Sequence, residues 1–466
     1  MIHLLIRCPG ADGFIFILSV SSSMEPHIMV TPPGPRAQAV LARDGRVISQ
    51  SMSRAALLVT DRAEGMNLWD VDGNRYLDFT AGIAVMNAGW NPPAVVDAVR
   101  KQAGRLTHGA FLDFCSEPPV RLAERLTGLL PDGLDSVYFS NSGAESIEAA
   151  LKLARHHTGR KYFLAFYGGF HGRTFGALSL TSSRVIQRQG FGPFLPVIHL
   201  PYPDPYRSFG GEDADCVEEV VRHLHDEVFS AEVSPREVAG IFVEPVLGEG
   251  GYVVPPPTFL RVLREICDEH GIMMVADEVQ SGCMRTGTML ACEHAGVVPD
   301  IVCMAKALGG GLPLGATIAS HRIMTWPRGA HASTFGGNNL SCAASLATLD
   351  ILAASGFGDG VLDKGAFLLD RLRGLSGRHP AVGDVRGIGL MAAVELVRDR
   401  ESKEHAPDLR DAVIREAFEN GVTFLPAGRS AIRFSPPLIV SCGEIELGVK
   451  VLEDALEACT ARGWGA

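Results

Sequence analysis

The chain has 466 residues, of which 46% are hydrophobic and 20% are charged, so it can bury a large core and form more than one domain. Its formal charge of -11 at pH 7 argues against a nucleic-acid partner, because such binding depends on clustered Lys and Arg. The 10 cysteines are scattered, with neither C-x-x-C spacing nor paired histidines at zinc spacing. This pattern argues against a disulfide framework and against a metal site, and it favours reduced cytosolic thiols.

The first 23 residues contain one short apolar run, at 14–18, with Arg7 before it. The run is shorter than the apolar region of a signal peptide, and no small-residue cleavage site follows it. No later stretch reaches the roughly 20 apolar residues that span a bilayer. We therefore expect an extended start or a disordered tail over residues 1–23, with Met24 as an alternative start, and a cytoplasmic protein without a membrane partner.

Alternating short apolar runs and helical segments dominate the middle of the chain. Before them, residues 68–79 predict two strands around an Asp-Gly-Asn turn, because Gly73 can adopt the positive φ that a hairpin needs. A helix-rich segment follows over 93–130. The apolar runs then stand at 136–139, 162–166, 240–243, 272–276 and 301–304. Continuous apolar runs are typical of strands buried on both faces, so we predict an α/β domain with a mostly parallel sheet.

Small residues follow the first apolar run. Ser142, Gly143 and Ala144 open a predicted helix that continues to about Arg155. In open parallel sheets ligands bind beyond the carboxyl ends of the strands, and the start of a helix offers free N–H groups and a positive dipole end to a phosphate. Most such runs are only helix caps, so this pattern needs support from other residues.

An aromatic residue, an imidazole and a guanidinium follow the second run. Phe170, His171 and Arg173 are crowded among glycines, which a plain turn does not require. Phe170 could stack on a flat heteroaromatic ring, and Arg173 could bind a carboxylate through two hydrogen bonds. The alternatives are core packing for Phe170 and a surface ion pair for Arg173.

Acidic residues end the next two runs, with Glu244 after one and Asp277 after the other. A carboxylate at the end of a buried strand needs a cation or a hydrogen-bond donor. A protonated pyridinium nitrogen would give Asp277 such a partner, and it would turn the ring into an electron sink for a carbanion. The alternative for Asp277 is a helix cap.

Lys306 follows the last apolar run and precedes a glycine-rich turn. Burial disfavours the ammonium form of a lysine, which makes its amine a nucleophile toward an aldehyde. Further along the chain, the stretch 331–338 offers hydroxyl groups to a phosphate, and Arg433 places a cation in apolar surroundings.

Together these residues resemble the class III (ω-amino acid) aminotransferases, which are fold-type I enzymes dependent on pyridoxal 5'-phosphate. The resemblance runs from about Pro26 to the C-terminus. It implies a large domain with a mostly parallel central sheet and a smaller α/β domain built from both termini. We expect residues 24–95 to join the small domain, 96–345 to form the large cofactor-binding domain, and 346–466 to form the rest of the small domain.

The resemblance also implies roles for individual residues. Lys306 would form the Schiff base with the cofactor, and Asp277 would pair with the ring nitrogen. The other cofactor residues would be Gly143 and Ala144 at the phosphate, Phe170 and Val279 against the ring, His171 and Glu244 beside it, Gln280 at the phenolic oxygen, and Thr334 at the phosphate of the neighbouring subunit. The last contact implies a homodimer with shared active sites, with a tetramer as an alternative.

The substrate residues resemble those of 4-aminobutyrate aminotransferases, namely Ile83, Arg173, Glu249 and Arg433. In that scheme Arg433 holds the α-carboxylate of glutamate, and Glu249 neutralises it when an ω-amino donor is bound. Leaving a buried Arg unpaired costs on the order of a few kcal/mol, so such a switch suits one site that accepts two substrates.

The predicted activity is transfer of the amino group of a 4-aminobutyrate- or ornithine-type donor to 2-oxoglutarate. Four stretches, at 26–41, 179–206, 250–256 and 398–415, are most similar to a prokaryotic subgroup that also holds broad-specificity racemases and epimerases. An amino-acid racemase is therefore the alternative. A non-catalytic regulator is disfavoured because the lysine is kept, and a Rossmann NAD enzyme because no G-x-G-x-x-G follows a strand.

Overall fold

The computed structural model describes residues 3–5, 17–19, 25–208 and 213–464. The start predicted to be extended or disordered, residues 1–23, lies outside the described residues apart from two short paired strands. The helices are α1 (Pro35–Val47), α2 (Ala81–Ala84), α3 (Pro93–Ala103), α4 (Glu117–Thr127), α5 (Gly143–Thr158), α6 (Phe175–Leu180), α7 (Asp213–Arg222), α8 (Thr258–His270), α9 (Asn339–Leu352), α10 (Phe357–Arg378), α11 (Pro407–Glu419) and α12 (Cys442–Ala461). The strands are β1 (His3–Leu5), β2 (Ile17–Ser19), β3 (Thr60–Glu64), β4 (Asn67–Asp70), β5 (Arg75–Asp78), β6 (Ser136–Ser140), β7 (Tyr162–Phe166), β8 (Val197–Leu200), β9 (Val238–Val243), β10 (Met273–Asp277), β11 (Ile301–Met304), β12 (Gly315–Ala319), β13 (Val382–Ile388), β14 (Met391–Leu396), β15 (Val422–Thr423), β16 (Leu425–Ala427) and β17 (Ala431–Phe434).

The chain divides into two compact units. The larger unit holds Pro93–Gly358, and the smaller holds Met1–Pro92 together with Asp359–Ala466. In the smaller unit, Val422 of β15 pairs in parallel with Leu77 of β5. Both ends of the chain therefore contribute to one sheet. The domain limits predicted after residues 95 and 345 stay predictions.

A seven-stranded sheet forms the centre of the larger unit, with the strand order β6-β12-β11-β10-β9-β7-β8. The pairings from β8 through β11 are all parallel, and only β12 runs antiparallel to its neighbours β11 and β6. The predicted α/β fold with a mostly parallel central sheet is confirmed.

Apolar packing fixes α5 on this sheet. Every residue of β9 and β11 is buried, as expected for strands covered on both faces. Helix α5 presents Ile147, Leu151 and Ala154 at the i, i+4 and i+7 spacing of one helical face. They belong to the same core cluster as Phe163 of β7 and Phe242 of β9. The core therefore holds α5, and with it the turn that precedes the helix.

The smaller unit contains the predicted hairpin, formed by β4 and β5. Gly73, in the turn of this hairpin, has a φ of 96°, a backbone conformation that residues with a Cβ atom rarely adopt. The carboxylate of Asp70 accepts hydrogen bonds from the N–H groups of Asp72 and Asn74, each at 2.9 Å. Two four-stranded sheets, β15-β5-β4-β3 and β13-β14-β17-β16, complete this unit.

Helix hydrophobicity and cysteine pairing are known for the part of the chain that the structure describes. No single helix there is long and apolar enough to cross a membrane, although the bent pair α9 and α10 passes by length and composition. The nine cysteines described by the structure are all free thiols, and most of them are buried.

Candidate active site

The candidate site lies at one edge of the seven-stranded sheet. Strands β7, β9, β10 and β11 are parallel, and two successive antiparallel pairings, through β12, bring β6 back to the same direction. The carboxyl ends of five strands therefore meet at one edge, where ligands bind in open α/β sheets. At or just beyond these ends stand Gly143, Ala144, Phe170, His171, Arg173, Glu244, Glu249, Asp277, Val279, Gln280 and Lys306.

The start of α5 packs closely against the turn that follows β10. Ser142 is the helix cap, and the first helical hydrogen bond runs from Ser146 N to Ser142 O at 3.0 Å. The N–H groups of Gly143 and Ala144 therefore precede the helical ladder and face outward from the helix end. A Cβ atom on Gly143 would lie 2.9 Å from Cγ1 of Val279. Only glycine lets the helix start approach this turn so closely, which forms a cradle suited to an anion.

His171 and Asp277 form a buried pair. The Nδ1 atom of His171 lies 2.7 Å from Oδ2 of Asp277, and both side chains are almost fully buried. Burial by itself lowers the pKa of His171, but the hydrogen bond and the charge of Asp277 outweigh it and raise that pKa above its ordinary value. The other oxygen of Asp277 accepts from the N–H of Val279 at 3.1 Å. Asp277 thus has the hydrogen-bond partner that its position at the end of a strand requires.

Glu244 connects the loops that follow β7 and β9. Its Oε1 accepts from the N–H of Phe170 at 2.8 Å, and its Oε2 accepts from the N–H of Gly248 at 2.9 Å. Burial raises the pKa of Glu244 to about 7, even though the neighbouring His171 acts to lower it. The sequence indicated Glu244 as a residue beside the cofactor, and the structure shows that it also holds the main chain of Phe170.

Phe170 and Arg173 lie together after β7. Phe170 is half-buried, and the guanidinium carbon of Arg173 lies 5.7 Å from the centroid of its ring. Arg173 itself is exposed. Between them, Gly172 has a φ of 135°, and a Cβ atom there would lie 2.7 Å from Cβ of Ala144. This loop therefore packs directly on the start of α5, which brings the predicted ring-stacking residue close to the anion cradle.

Gln280 is fixed by a tyrosine that is not among the predicted site residues. The hydroxyl of Tyr252 donates to Oε1 of Gln280 at 2.7 Å, and both side chains are buried. Tyr252 lies in the stretch 250–256, which was noted only for its overall similarity to one subgroup. No spacing or periodicity links it to Gln280, so only the folded structure could reveal this contact.

Lys306 begins a 3-10 turn, Lys306–Gly309, directly after β11. Its φ is 47°, a left-handed conformation that is uncommon for residues other than glycine and that concentrates at functional sites. Cys303 of β11 stands opposite Asp277 of β10 in the sheet register, so the lysine follows Asp277 at the same edge. The Lys306 side chain is half-buried.

Two further predicted residues lie in loops of the same unit. Thr334 is exposed, and the preceding Ser333 accepts hydrogen bonds at Oγ from Asn141 Nδ2 at 2.9 Å and from Gly336 N at 3.2 Å. The loop that carries Thr334 is therefore attached to the turn before α5. Glu249 is half-buried in the loop after β9. The cofactor and substrate roles of these two residues stay predictions.

Ile83 and Arg433 belong to the smaller unit. Ile83 is exposed in α2, a left-handed turn in which four consecutive residues have φ values from 46° to 65°. Arg433 is buried on β17, where it stands opposite Ala393 of β14. Their roles as substrate residues stay predictions.

A cavity of about 340 Å³ lies elsewhere in the larger unit, lined by residues of α5, α6 and the loop before β8. Lys152, Arg155 and Phe175 are among its lining residues. None of the predicted cofactor residues that the structure describes lines this cavity, so the sheet edge remains the candidate site.

The residues at the sheet edge fit pyridoxal 5'-phosphate. The cradle at Gly143 offers N–H groups to a phosphate, and Phe170 offers a half-buried aromatic face. Each oxygen of Asp277 accepts one hydrogen bond within the protein, and a carboxylate has further lone pairs for a donor such as a ring N–H. Lys306 supplies an amine at the same edge.

Comparison with known proteins was made over the whole chain. A family model for class III aminotransferases matches residues 48–456. The chain is 37% identical over 416 residues to a probable 4-aminobutyrate aminotransferase of Bacillus subtilis (strain 168), covering 88% of this chain and 95% of that protein. It is 35% identical over 451 residues to an alanine/serine racemase of Pyrococcus horikoshii, covering 95% of each protein. A solved amine transaminase from an uncultivated Pseudomonas species, in its PLP-bound form, superposes with a TM-score of 0.83 and 34% identity over 89% of this chain and 98% of that one.

These similarities confirm the resemblance inferred from the motifs, the fold-type I architecture and the cofactor, which is pyridoxal 5'-phosphate. They include both an aminotransferase and a racemase. They therefore establish the family of this chain but not which reaction it catalyses. The family model spans most of the chain, and the structural likeness extends over nearly all of the related chain. The chain belongs to the class III aminotransferases.

Proposed function

We propose that this enzyme transfers the amino group of an ω-amino acid, of the 4-aminobutyrate or ornithine type, to 2-oxoglutarate. The observation that carries the proposal is the position of Arg173, an exposed cation 5.7 Å from the ring centroid of Phe170. A guanidinium beside the ring that would stack on the cofactor suits the distant carboxylate of an ω-amino acid. The similarity to a probable 4-aminobutyrate aminotransferase supports this substrate class.

The protein's part in the reaction follows from the residues at the sheet edge. Pyridoxal 5'-phosphate, when bound, supplies an electron sink for negative charge on the carbon that carries the amino group. Asp277, paired with His171, would hold a proton on the ring nitrogen and so maintain that sink. The amine of Lys306 would take the proton from the substrate carbon that carries the amino group and deliver it to C4' of the cofactor, the carbon on the other side of the amino nitrogen.

Other residues would position the cofactor. The N–H groups of Gly143 and Ala144 would bind its phosphate, and Phe170 and Val279 would contact the two faces of its ring. Glu244 fixes the main chain of Phe170 by accepting a hydrogen bond from its N–H at 2.8 Å. This bond would help to position the Phe170 ring against the cofactor. The substrate roles of Ile83, Glu249 and Arg433 rest on the resemblance alone.

The substrate class can be tested with one variant and two donors. We expect 4-aminobutyrate and ornithine to yield glutamate from 2-oxoglutarate. In Arg173→Gln we expect KM for 4-aminobutyrate to rise about tenfold to a hundredfold, because a charged hydrogen bond to the carboxylate is lost. Butylamine, which lacks the carboxylate, is the matched donor and should be used equally well by both proteins. Equal losses with both donors, or no glutamate from any ω-amino donor, would contradict the proposal.

Racemisation is the second candidate function. It is favoured by the similarity to an alanine/serine racemase, which covers 95% of both proteins. A racemase would return the proton to the opposite face of the same carbon and would need no oxo acid. Incubating single enantiomers of several amino acids without an oxo acid, and following their chirality, separates the two reactions. Inversion under those conditions, faster than glutamate formation in the complete assay, would replace transamination as the main activity.

We also propose a homodimer with shared active sites, working in the cytoplasm. Four large apolar side chains in one segment of the larger unit are more than half exposed, which is unusual for a surface that stays in water. They are Phe175, Val185, Ile186 and Phe191. The nine free cysteines suit a compartment that keeps thiols reduced.

A further inference from the structure

The contact between Tyr252 and Gln280 gives the glutamine amide a direction. The phenol of Tyr252 donates to Oε1 of Gln280 at 2.7 Å, and Tyr252 is held in the left-handed region with a φ of 55°. A side-chain amide has two ends of nearly the same shape, one an acceptor and the other a double donor. With Oε1 occupied by the phenol, the NH2 group is the end left for other partners.

The opposite side of the amide favours the same orientation. A Cβ atom on Gly248 would lie 2.4 Å from Nε2 of Gln280 and 2.9 Å from Oε2 of Glu244. The amide nitrogen of Gln280 thus occupies the space that a side chain at Gly248 would fill. A carboxylate oxygen of Glu244 borders the same space. When Glu244 is ionised, as it is above a pH of about 7, its oxygen attracts an N–H donor and repels an amide oxygen. Reversal of the amide would place the amide oxygen near the Glu244 oxygen, whereas the phenol, which can donate or accept, would tolerate either orientation.

Gln280 stands three positions after Asp277, on the turn whose Val279 contacts the start of α5. We propose that Tyr252 is a positioning residue that directs the NH2 group of Gln280 toward the phenolic oxygen of the cofactor. This inference rests on the proposed function and on the cofactor contact that the family resemblance implies for Gln280. It adds a residue outside the predicted set, which acts on the cofactor only through the glutamine.

The expected consequence is spectroscopic. An N–H donor stabilises negative charge on the phenolic oxygen of the cofactor. This stabilisation is larger in the deprotonated form, which dominates at high pH, because no proton near the oxygen then offsets its charge. Losing the donor should therefore move the pH midpoint of the holoenzyme's visible absorbance upward. A charge-assisted hydrogen bond corresponds to a shift of about 1 pH unit, or about a tenfold change in the protonation equilibrium.

The test is a double-mutant cycle read by absorbance titration of the holoenzyme without substrate. We expect Tyr252→Phe to raise the midpoint, Gln280→Ala to raise it at least as much, and the double variant to match Gln280→Ala. Tyr202→Phe is the matched control, because it also removes a tyrosine hydroxyl, one that donates to the main-chain oxygen of Glu244 at 3.0 Å. Its midpoint should stay at the wild-type value.

The outcomes that overturn the inference are distinct from a failure of the transaminase proposal. An unchanged midpoint in Tyr252→Phe, or additive shifts in the double variant, would remove the positioning role of Tyr252. No shift in Gln280→Ala would remove the cofactor contact and the inference together, while the donor assay would still decide the reaction. If Tyr252→Phe does not fold, Gly248→Ala serves instead, because its methyl group would displace the amide nitrogen and should raise the midpoint as well.

Discussion

At the scale of single residues, the buried pair of Asp277 and His171 explains how a carboxylate is tolerated at the end of an apolar strand. The two residues are 106 positions apart, and their side chains meet at 2.7 Å. Because desolvation of a lone carboxylate is costly, a hydrogen-bonded imidazole at this position stabilises the fold. The same pairing serves the proposed function, since it fixes the Asp277 carboxyl group where it would receive the ring nitrogen.

Removing His171 should therefore destabilise the protein even without the cofactor. In His171→Ala we expect the free energy of unfolding of the apo-protein to fall by about 3 kcal/mol, as for a buried ion pair that loses one partner. Urea unfolding followed by circular dichroism measures this. His199→Ala is the control, because the imidazole of His199 contacts a main-chain oxygen, that of Leu180 at 3.0 Å, and the ring of Tyr167, and no carboxylate of the described residues pairs with it. Its loss should cost about 1 kcal/mol.

Neutralising Asp277 should recover part of that loss. Asp277→Asn in the His171→Ala background removes the unpaired charge, so the double variant should be more stable than His171→Ala alone. If Asp277→Asn instead lowers stability equally in both backgrounds, the two residues are not coupled and our account of the pair is wrong.

At the scale of helices and strands, the close approach of α5 to the turn after β10 depends on a glycine. In Gly143→Ala the added methyl would lie 2.9 Å from Cγ1 and 3.0 Å from Cγ2 of Val279. Valine has little rotamer freedom, so the helix start has to move. We expect affinity for pyridoxal 5'-phosphate to fall about tenfold, measured by cofactor titration of the apo-protein.

Two companion variants make this prediction specific. Val279→Ala in the Gly143→Ala background removes both clashing methyl groups and should restore part of the affinity. Gly377→Ala adds a methyl group in α10 with nothing within 4 Å of it, so it should leave cofactor affinity unchanged. A Gly143→Ala protein with normal affinity would show that the cradle tolerates a side chain and does not bind the phosphate.

The strands differ in how well the sequence predicts them. The apolar runs at 162–166 and 301–304 coincide with β7 and β11, because both strands are buried on two faces and bounded by polar residues. Strands β8 and β12 were not among the predicted runs. β12 contains Gly315 and two alanines, and it follows a glycine-rich turn. Its antiparallel direction depends on its pairing with β6 and β11, which local sequence does not encode.

The same limit applies to the site. The sequence indicated Asp277, His171 and Glu244 separately, because each follows a predicted strand, but no local pattern shows which of them touch. Their pairing depends on strand order, which is a property of the whole sheet. Tyr252 could not be predicted for a different reason. The sequence around a buried loop tyrosine does not show whether its hydroxyl bonds to another side chain or whether its ring only packs in the core.

At the scale of the whole molecule, Glu244 should make stability depend on pH. Burial raises its pKa from the ordinary 4.5 to about 7 in the folded protein, so the folded state holds this proton more tightly than the unfolded chain does. The free energy of unfolding should therefore fall as pH rises from about 4.5 to about 7. The raised pKa of His171, which Asp277 sustains against burial, acts in the same direction, because its stabilising charge is lost as pH rises through that pKa.

Glu244→Gln isolates the contribution of the carboxyl group. At pH 4.5 the variant should be less stable than wild type, because one end of its amide faces an N–H donor of Phe170 or Gly248. The pH dependence of the stability difference tests whether Glu244 titrates. The unfolding free energy of wild type minus that of Glu244→Gln should decrease by up to about 3 kcal/mol between pH 4.5 and 7. A difference that is constant with pH would show that Glu244 is ionised throughout.

The proposed homodimer makes a prediction about which chain supplies Thr334. This residue is exposed, in a loop attached through Ser333 to Asn141 before α5. If Thr334 binds the phosphate of the partner's cofactor, a mixed dimer of Lys306→Ala and Thr334→Ala chains contains one site with both residues intact. The other site lacks both.

Mixing the two variants therefore decides whether the sites are shared. Each variant alone should be impaired, Lys306→Ala completely and Thr334→Ala at limiting cofactor, where the lost phosphate contact weakens binding. After joint unfolding and refolding at equal amounts, about half of the dimers should be mixed, and each should carry one site of wild-type affinity. Glutamate formation at limiting cofactor should then exceed the sum of the separate variants. Activity equal to that sum, in a preparation shown by sedimentation to be dimeric, would place Thr334 at the cofactor of its own chain.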